Sequence, residues 1–390
     1  MFRRRVLYIP GYDPIPPRRY RELFRREGAA QARISGYALT EAKRSDLAGF
    51  GWAATTQIDG QTTHAEFEVL VWADIVQGSM GRSVGATYGQ LVKTAWAYIG
   101  SGALWRLMRL RRGPVIAALY PIVVLILQAM VAGLVAAVVG GLVAKIVPVW
   151  VALPVGAALF WAGLHLWRRA DGRIFAYYLM HDYAFTAQHG GAYPPALEAR
   201  IAAFVERIEQ VSQGDWDEVL VVGHSSGAYL AVSVLADLAR AGRLSPRVSL
   251  LTLGHVVPMA SFLPEARRLR ADLHDLSATT VPWVDVTAPG DPCSFALCDP
   301  VAVSNAAPAQ QNGPLVLSAA FTQTLSPERL RAMRWRFFRA HFQYLCAFDR
   351  PGDYDYFRVT AGPLTLAERF AARNPSPGRI TAPVNRWSHP

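Results

Sequence analysis

The sequence of 390 residues predicts an α/β fold, in which a mostly parallel sheet with flanking helices is interrupted by a two-helix transmembrane hairpin. Two observations predict this fold class. Strand-like and helix-like segments alternate through the C-terminal half, as a parallel sheet with crossover helices requires. Upstream of them, residues 113–167 form an apolar block in which Lys145 is the single charged residue.

The N-terminal part of the sheet core is predicted over residues 1–89. Asp59-Gly60 is a strong turn signal between two strand-like segments and predicts a β-hairpin. The run of arginines at residues 3–5 is no secretory signal, because the apolar segment that follows is short and stops at Pro10-Gly11. The expected strands here are 5–9, 34–39, 50–58 and 62–72, and the expected helix is 18–33.

Residues 90–170 are predicted to form an interfacial helix, over 90–112, and a membrane hairpin with spans at about 114–143 and 146–167. Each span exceeds the roughly 20 residues that cross a hydrocarbon core. Arginines lie outside both outer ends, so both ends are expected to face the cytoplasm. A buried helical pair of a soluble protein is the alternative. Aromatic residues that suit the interface are Trp96, Tyr98, Trp105, Trp161 and Trp167.

The C-terminal part of the core is predicted over residues 171–370, followed by a Pro-rich flexible tail at 371–390. The expected strands are 219–222, 248–253 and 281–286, and the expected helices are 194–212, 228–235, 264–276 and 329–347.

One motif in this part carries chemistry. Gly223-His224-Ser225-Ser226-Gly227 follows an apolar strand and precedes a helix of small apolar residues. Strand, G-x-S-x-G and helix in this order are typical of a nucleophile elbow, whose tight turn exposes the central serine at the sheet edge. Both flanking glycines have a physical role there, because a Cβ would crowd the turn. The alternative is an ordinary Gly/Ser-rich turn.

A nucleophilic serine needs a base to take its proton and a carboxylate to orient that base. In a fold of this kind the acid follows the serine along the chain, on a loop at the carboxyl edge of a strand. Asp291 follows the strand expected at 281–286 and fits that position. Asp285, inside the strand, and Asp299 are the alternatives.

The base should follow the acid. Only His341 and His389 do so, and His389 lies in the predicted tail, which favours His341. Its predicted position on a helix is unusual for a base, and His255 is the second choice. Two backbone N–H groups are also needed at the developing oxyanion. Those of Ser226, directly after the nucleophile, and Tyr12, after the first strand, are the candidates.

Taken together, Pro10-Gly11-Tyr12, the elbow at Ser225, Asp291 and His341 resemble the α/β-hydrolase superfamily, specifically its bacterial membrane-bound serine hydrolases of lipase/esterase type. The resemblance covers most of residues 5–50 and 194–350. It implies acyl transfer through an acyl-serine intermediate, without metal or organic cofactor. The chain departs from the family pattern because it begins at what would be the third strand and carries its insert before the elbow.

The expected function is therefore that of a serine hydrolase anchored in the bacterial inner membrane, with its catalytic domain facing the cytoplasm, that cleaves a lipid or acyl ester. Its expected partners are the lipid bilayer and that substrate. Residues 1–112 carry 17 Lys/Arg against 9 Asp/Glu, but no nucleic-acid motif is visible. The alternatives are an acyltransferase with the same triad and an inactive, membrane-tethered binding protein. Cys293, Cys298 and Cys346 show no metal-binding spacing and are expected to be reduced.

Overall fold

The computed structural model of the chain describes residues 1–43, 49–81 and 83–389. The segments predicted at 1–89 and 371–390 include residues 44–48, 82 and 390, which lie outside the described residues. The strands are β1 (Phe2–Ile9), β2 (Ala38–Lys43), β3 (Gly51–Ile58), β4 (Gln61–Val69), β5 (Glu218–His224), β6 (Val248–Leu253), β7 (Trp283–Thr287) and β8 (Leu315–Ser318).

These strands form one mixed sheet in the spatial order β2-β3-β4-β1-β5-β6-β7-β8. Strand β3 runs antiparallel to both of its neighbours, β2 and β4. All neighbouring pairs from β4 through β1 and β5 to β8 are parallel. The predicted α/β class and mostly parallel sheet are therefore confirmed, and the first strand of the chain lies in the middle of the sheet.

Helices cover both faces of this sheet. They are α1 (Arg18–Ser35), α2 (Ala73–Ser79), α3 (Val84–Gly100), α4 (Ala103–Leu110), α5 (Arg112–Val143), α6 (Val149–Arg169), α7 (Asp171–Ile174), α8 (Ala176–Ala187), α9 (Pro195–Ser212), α10 (Ser226–Arg240), α11 (Val257–Ser261), α12 (Arg267–Ala278), α13 (Pro300–Val303), α14 (Phe321–Thr324), α15 (Pro327–Met333), α16 (Phe337–His341), α17 (Tyr356–Ala361), α18 (Leu366–Phe370) and two short 3-10 helices, Gln188–Gly191 and Phe342–Leu345.

Alternating side chains of the central strands fill two hydrophobic cores. Leu7 and Ile9 of β1 pack into the core on the α9–α10–α12 side. Val6 and Tyr8 pack into the opposite core, with α1 and α17. This is the period of two that a strand buried on both faces imposes. The burial of β1 and β5 on both faces makes them the rigid centre of the fold.

Several predicted elements have different bounds in the structure, among them the second strand and the helix that contains His341. The strand expected at 34–39 begins at Ala38, because α1 continues to Ser35 and ends at Gly36, whose φ is +72°. The single helix expected at 329–347 is divided into α15, α16 and the 3-10 helix Phe342–Leu345. The break lies at Arg336, whose φ of −111° and ψ of 70° are not helical. As a result, His341 ends a helix of five residues instead of lying inside a long one.

Two arginines of β1, Arg4 and Arg5, are buried and paired. Arg4 Nε donates to Glu218 Oε2 at 2.7 Å, and both side chains are almost fully buried. Arg5 Nη1 donates to Glu66 Oε2 at 2.6 Å. A buried charge is tolerated when it is paired and hydrogen-bonded. The side chains of Arg4 and Arg5 therefore join β1 to its neighbours β5 and β4. They do not form a free basic surface.

Helices α5 and α6 pack against each other and, with residues 144–148 between them, form an apolar hairpin. Both are long and apolar enough to cross a membrane, with mean hydropathies of 2.8 and 1.7 over their best windows. Only 22% and 11% of those windows are buried. The pair is thus mostly exposed in the described structure, which disagrees with the alternative of a helical pair buried in a soluble core.

The segment before the hairpin contains two helices, α3 and α4, where one interfacial helix was predicted over 90–112. The chain bends at Gly102, whose φ is +72°. Trp96 and Trp105 are exposed, as interfacial residues would be, but Tyr98 is buried. Its hydroxyl donates to the carbonyl of Met259 at 2.9 Å, so Tyr98 joins α3 to the core.

Between α18 and residue 389 the described chain forms no helix, but it is attached to the core. Ile380 N–H donates to the carbonyl of Leu297 at 2.8 Å. Asn385 is buried, and its amide donates to the carbonyls of Ser261 and Ser304. The segment predicted as a flexible tail at 371–390 is therefore hydrogen-bonded to the core at these points.

The turn after β5 depends on close backbone contact, which yields a prediction for stability. A Cβ on Gly227 would lie 2.1 Å from the carbonyl oxygen of Ile9, whereas one on Gly78 would meet nothing within 4 Å. We expect Gly227→Ala to lower the free energy of unfolding by roughly 3 kcal/mol or more, since backbone atoms cannot move aside locally. Gly78→Ala, the control, should change it by less than about 1 kcal/mol. Thermal unfolding of both variants in detergent measures the difference, and equal midpoints would contradict the packing described.

Candidate active site

Ser225 lies on the turn between β5 and α10, with φ of 58° and ψ of −121°. This region of φ/ψ space is strained for a residue with a side chain, and such strain persists where the surroundings enforce it. Ser225 is the one residue between 218 and 236 that is not fully buried. The loop after β1 lies against it, since a Cβ on Gly11 would be 2.9 Å from Ser225 Cβ. The turn therefore presents the serine hydroxyl from an otherwise closed core.

Asp291 and His341 are hydrogen-bonded. His341 Nδ1 lies 2.8 Å from Asp291 Oδ2, and both residues are buried. The hydroxyl of Tyr344 donates to the same carboxylate oxygen at 3.0 Å, and the N–H of Cys293 donates to Oδ1 at 2.9 Å. Burial by itself would raise the pKa of Asp291, but His341 and these donors hold it below its ordinary value. The acid is thus a carboxylate that orients the imidazole through Nδ1.

His224, within the elbow motif, fixes the other side of His341. Its Nε2 lies 3.0 Å from the carbonyl oxygen of His341, and the two ring centres are 4.9 Å apart. Burial, together with the nearby His341, lowers the pKa of His224 to about 3. His224 is therefore a neutral donor that holds the backbone of His341, and it is too weak a base to compete for the serine proton.

One cavity joins these groups, and we call it the Ser225 cavity. The volume of the Ser225 cavity is about 70 Å³. Its lining includes Tyr12, Asp182, Ser225, Ser226, Cys293 and His341. The structure shows no hydrogen bond between the Ser225 hydroxyl and His341. Catalytic hydrogen bonds are often loose without substrate, so the shared cavity, and not a preformed bond, relates these two groups.

The two candidate oxyanion donors also reach this cavity. Ser226 is the first residue of α10, so its N–H has no acceptor within the helix. Tyr12 follows Gly11 on the loop after β1, and its carbonyl accepts the hydroxyl of Tyr178. Neither N–H donates to an acceptor in the described part of the chain. The structure thus brings together Ser225, Asp291, His341, Tyr12 and Ser226, with Gly223, His224 and Gly227 supporting the turn.

The alternative acids and base lie elsewhere. Asp285 accepts the hydroxyl of Thr252 at 2.7 Å, and His255 Nε2 is 3.6 Å from its other oxygen. His255 is fully buried, and its Nε2 lies 3.0 Å from the carbonyl oxygen of Cys298. Asp299 accepts two N–H groups at the start of α13. These residues form a separate buried pair and a helix cap, and none of them lines the Ser225 cavity.

Sequence reasoning missed two residues of the site. Tyr344 lies three residues after His341, and its hydroxyl also accepts the N–H of Ala288 at 2.9 Å. Asp182 lies on α8, which was not predicted, and it lines the cavity with a carboxyl group that has no hydrogen-bond partner in the described residues. Burial raises the pKa of Asp182 to about 7, although the nearby His341 opposes the rise. In the sequence, the available signal for Asp182 was that it is a single acidic residue in a segment rich in aromatic residues.

Asp291, Cys293 and His341 also offer a possible set of metal ligands, with their ligand atoms within 4.8 Å of one another. The chemistry of this set is unfavourable for a metal. Burial, followed by the charge of Asp291, raises the pKa of the Cys293 thiol well above its ordinary value, whereas a metal binds the thiolate. The Nδ1 atom of His341 and the carboxylate of Asp291 already bond to each other.

Comparison with known proteins gives no relative from which a function could be transferred. No family model matches the chain, and neither the curated proteins nor the solved structures contain a match. The function therefore has to be argued from the geometry of the site.

The raised pKa of Asp182 predicts a pH-dependent stability. The pKa of Asp182 is about 7 in the folded protein and lower in the unfolded chain, so Asp182 does not oppose folding at a pH below its unfolded pKa. As the pH rises to 7 and above, ionisation of this buried carboxyl lowers the free energy of unfolding. Asp182→Asn removes the penalty. We expect it to stabilise the protein by about 1 to 3 kcal/mol at pH 8 and by little at pH 4.

Thermal unfolding across this pH range measures the effect. Asp215→Asn is the control, because that side chain is 93% exposed. If the stabilisation by Asp182→Asn did not increase between pH 4 and pH 8, the raised pKa of Asp182 would be contradicted.

Proposed function

We propose that the protein is a membrane-anchored serine hydrolase that cleaves a lipid or acyl ester through an acyl-serine intermediate. The observation that carries the proposal is the hydrogen-bonded Asp291–His341 pair, whose histidine shares one cavity with a serine held at positive φ. Strain of this kind clusters at functional sites. A serine that served only a turn would need neither the strained backbone nor a buried acid–imidazole pair beside it.

The sheet topology is consistent with this proposal. The serine follows β5, the acid follows β7, and the histidine follows β8, the last strand of the sheet. All three strands are parallel, so their carboxyl ends meet at one edge. Serine, acid and histidine in this chain order match the α/β-hydrolase arrangement, and we assign the chain to that fold as part of the proposal.

In the proposed mechanism, Ser225 Oγ attacks the ester carbonyl while His341 takes the hydroxyl proton. Asp291 stabilises the imidazolium that forms. The N–H groups of Tyr12 and Ser226 donate to the oxyanion, helped by the positive end of the α10 dipole. His341 then returns the proton to the leaving alcohol, and the acyl group stays on Ser225. Water deprotonated by His341 attacks this acyl-serine, which releases the acid and restores the free hydroxyl.

Membrane attachment is proposed from the apolar hairpin. Large apolar side chains such as Met130, Leu134 and Leu153 are more than 60% exposed along it. Exposed apolar surface on this scale is costly in water and matches lipid. Arginines at 106–112 and 168–173 flank its outer ends, where the core is attached. We therefore place the sheet and its site on the cytoplasmic side of a bacterial inner membrane.

The mechanism predicts the outcome of labelling with a fluorophosphonate probe. We expect Ser225→Ala to abolish labelling and His341→Ala to slow it by at least about 100-fold, since the residues of a triad act as a unit. His389→Ala, in the C-terminal segment, is the control and should label like wild type. Labelling rates of detergent-solubilised protein measure this.

Retained labelling of Ser225→Ala would overturn the mechanism. Loss in His255→Ala but not in His341→Ala would reassign the base. Absence of labelling in the folded wild type would favour an inactive binding protein. Product analysis with and without added alcohols separates hydrolysis from transfer to another acceptor.

The proposed orientation predicts which residues a membrane-impermeant maleimide reaches. Lys145 lies in the turn of the apolar hairpin, and Arg173 follows α6 at its other end; both are exposed. In intact cells we expect Lys145→Cys to be labelled and Arg173→Cys to be labelled only after permeabilisation. Labelling of both variants in intact cells, or the reverse pattern, would contradict the orientation.

A further inference from the structure

A second cavity lies between α3, α4 and α5, and we call it the apolar cavity. Its lining includes Ala95, Leu104, Leu107, Val115, Ala118 and Ile122. The volume of the apolar cavity is about 90 Å³. This is several times the roughly 10–15 Å³ that a single water-sized group needs, so the cavity has room for a run of methylene groups.

The lining of the apolar cavity offers little to a polar ligand. Tyr98 contributes its ring, but its hydroxyl is already bonded to the carbonyl of Met259. Thr94 is buried, and its hydroxyl has no partner. A polar molecule would lose its bonds to water here and could replace them only at the single hydroxyl of Thr94. An alkyl chain loses none, so the lining selects for hydrocarbon.

The apolar cavity and the Ser225 cavity share a wall. Tyr183 and Met259 line both of them. Methionine has three rotatable bonds and adapts readily to a ligand, so reorientation of Met259 would join the two spaces. One molecule would then place a carbonyl at Ser225 and a hydrocarbon chain between α3, α4 and α5.

The position of the apolar cavity indicates where such a molecule comes from. Its walls include the first turns of α5, which begin the proposed membrane span. Trp96 and Trp105, on the neighbouring turns of α3 and α4, are 78% and 56% exposed. Exposed tryptophans beside an apolar span are typical of the membrane interface. Lipid in the adjoining leaflet is therefore the nearest source of an alkyl chain.

We infer that the apolar cavity binds the alkyl chain of the substrate and that Tyr183 and Met259 form the passage to Ser225. The inference rests on the proposed function and narrows it to esters of medium- or long-chain fatty acids. Esters of short acids would reach Ser225 without filling the cavity, and they would gain none of its binding energy.

The test compares a short probe with a long one, ethyl and dodecyl fluorophosphonates. In each reaction Ser225 Oγ bonds to phosphorus, fluoride leaves, and the serine proton passes to His341. We expect wild type to react faster with the dodecyl probe. Ala118→Phe fills the apolar cavity and should lower the dodecyl-to-ethyl ratio of rate constants about tenfold. A tenfold loss corresponds to about 1.4 kcal/mol, or roughly two buried methylenes.

A matched control isolates the cavity. Ile116 lies on the same helix, 65% exposed and outside the lining. Ile116→Phe adds the same side chain and should leave the ratio unchanged. If Ala118→Phe fails to fold, Ala95→Phe fills the cavity from α3, with Val92→Phe as its exposed control. An unchanged ratio in a folded cavity variant would overturn the inference while leaving the serine chemistry intact.

A second readout separates the two proposals. A dodecanoic acid with a photoreactive ω-terminus should crosslink to peptides of α3 and α5 in wild type and in Ser225→Ala, but weakly in Ala118→Phe. Crosslinking without fluorophosphonate labelling would support a lipid-binding cavity and reject the hydrolase. Labelling by both probes without crosslinking there would support the hydrolase and reject the cavity.

Discussion

The contact of bare backbone at the turn after β5 is the constraint on which the rest of the structure depends. Gly227 lies so close to the carbonyl of Ile9 that no side chain fits between α10 and the end of β1. Gly11, in turn, lies against Ser225. The central strands, the first turn of α10 and the loop with Tyr12 are thereby fixed to one another. Because both proposed oxyanion donors, the N–H groups of Tyr12 and Ser226, belong to these segments, the packing fixes the spacing between them.

The candidate site contains two carboxyl groups whose pKa values are shifted in opposite directions. Asp291 is buried, but a histidine, a tyrosine and a backbone N–H compensate its charge, so its pKa is lowered. Asp182 is without such partners, and burial raises its pKa to about 7. Below pH 7 Asp182 is mostly protonated and therefore does not compete with Asp291 for the proton on His341. Groups whose environments push their pKa values apart are how one site assigns different roles to one residue type.

The sequence predicted seven of the eight strands in the described sheet, missing β8, and it named most residues of the candidate site, for different reasons. The strand before Ser225 could be predicted because a strand that is buried on both faces has a continuous apolar sequence. Asp291 could be located from strand order alone, since parallel strands end at one edge. The division of the helix before His341 was not legible, because a non-helical Arg336 leaves no local signal. Asp182 was missed for a related reason: its importance comes from an unpaired position in the cavity, which only tertiary packing creates.

The apolar hairpin is more than an attachment, because its base is built into the site. Pro114, in the first turn of α5, lines the Ser225 cavity. Gly113 lies against Pro292, next to the acid, and Arg111 Nε donates to the carbonyl of Ala296 at 2.7 Å. In the proposed membrane orientation, a tilt of α5 would therefore act on the loop that carries Asp291. An independent anchor would be joined by a linker, whereas here the first turn of α5 is part of the cavity wall. The first turn of α5 and the loop of Asp291 are thus in direct contact, which would couple the proposed membrane insertion to the position of Asp291.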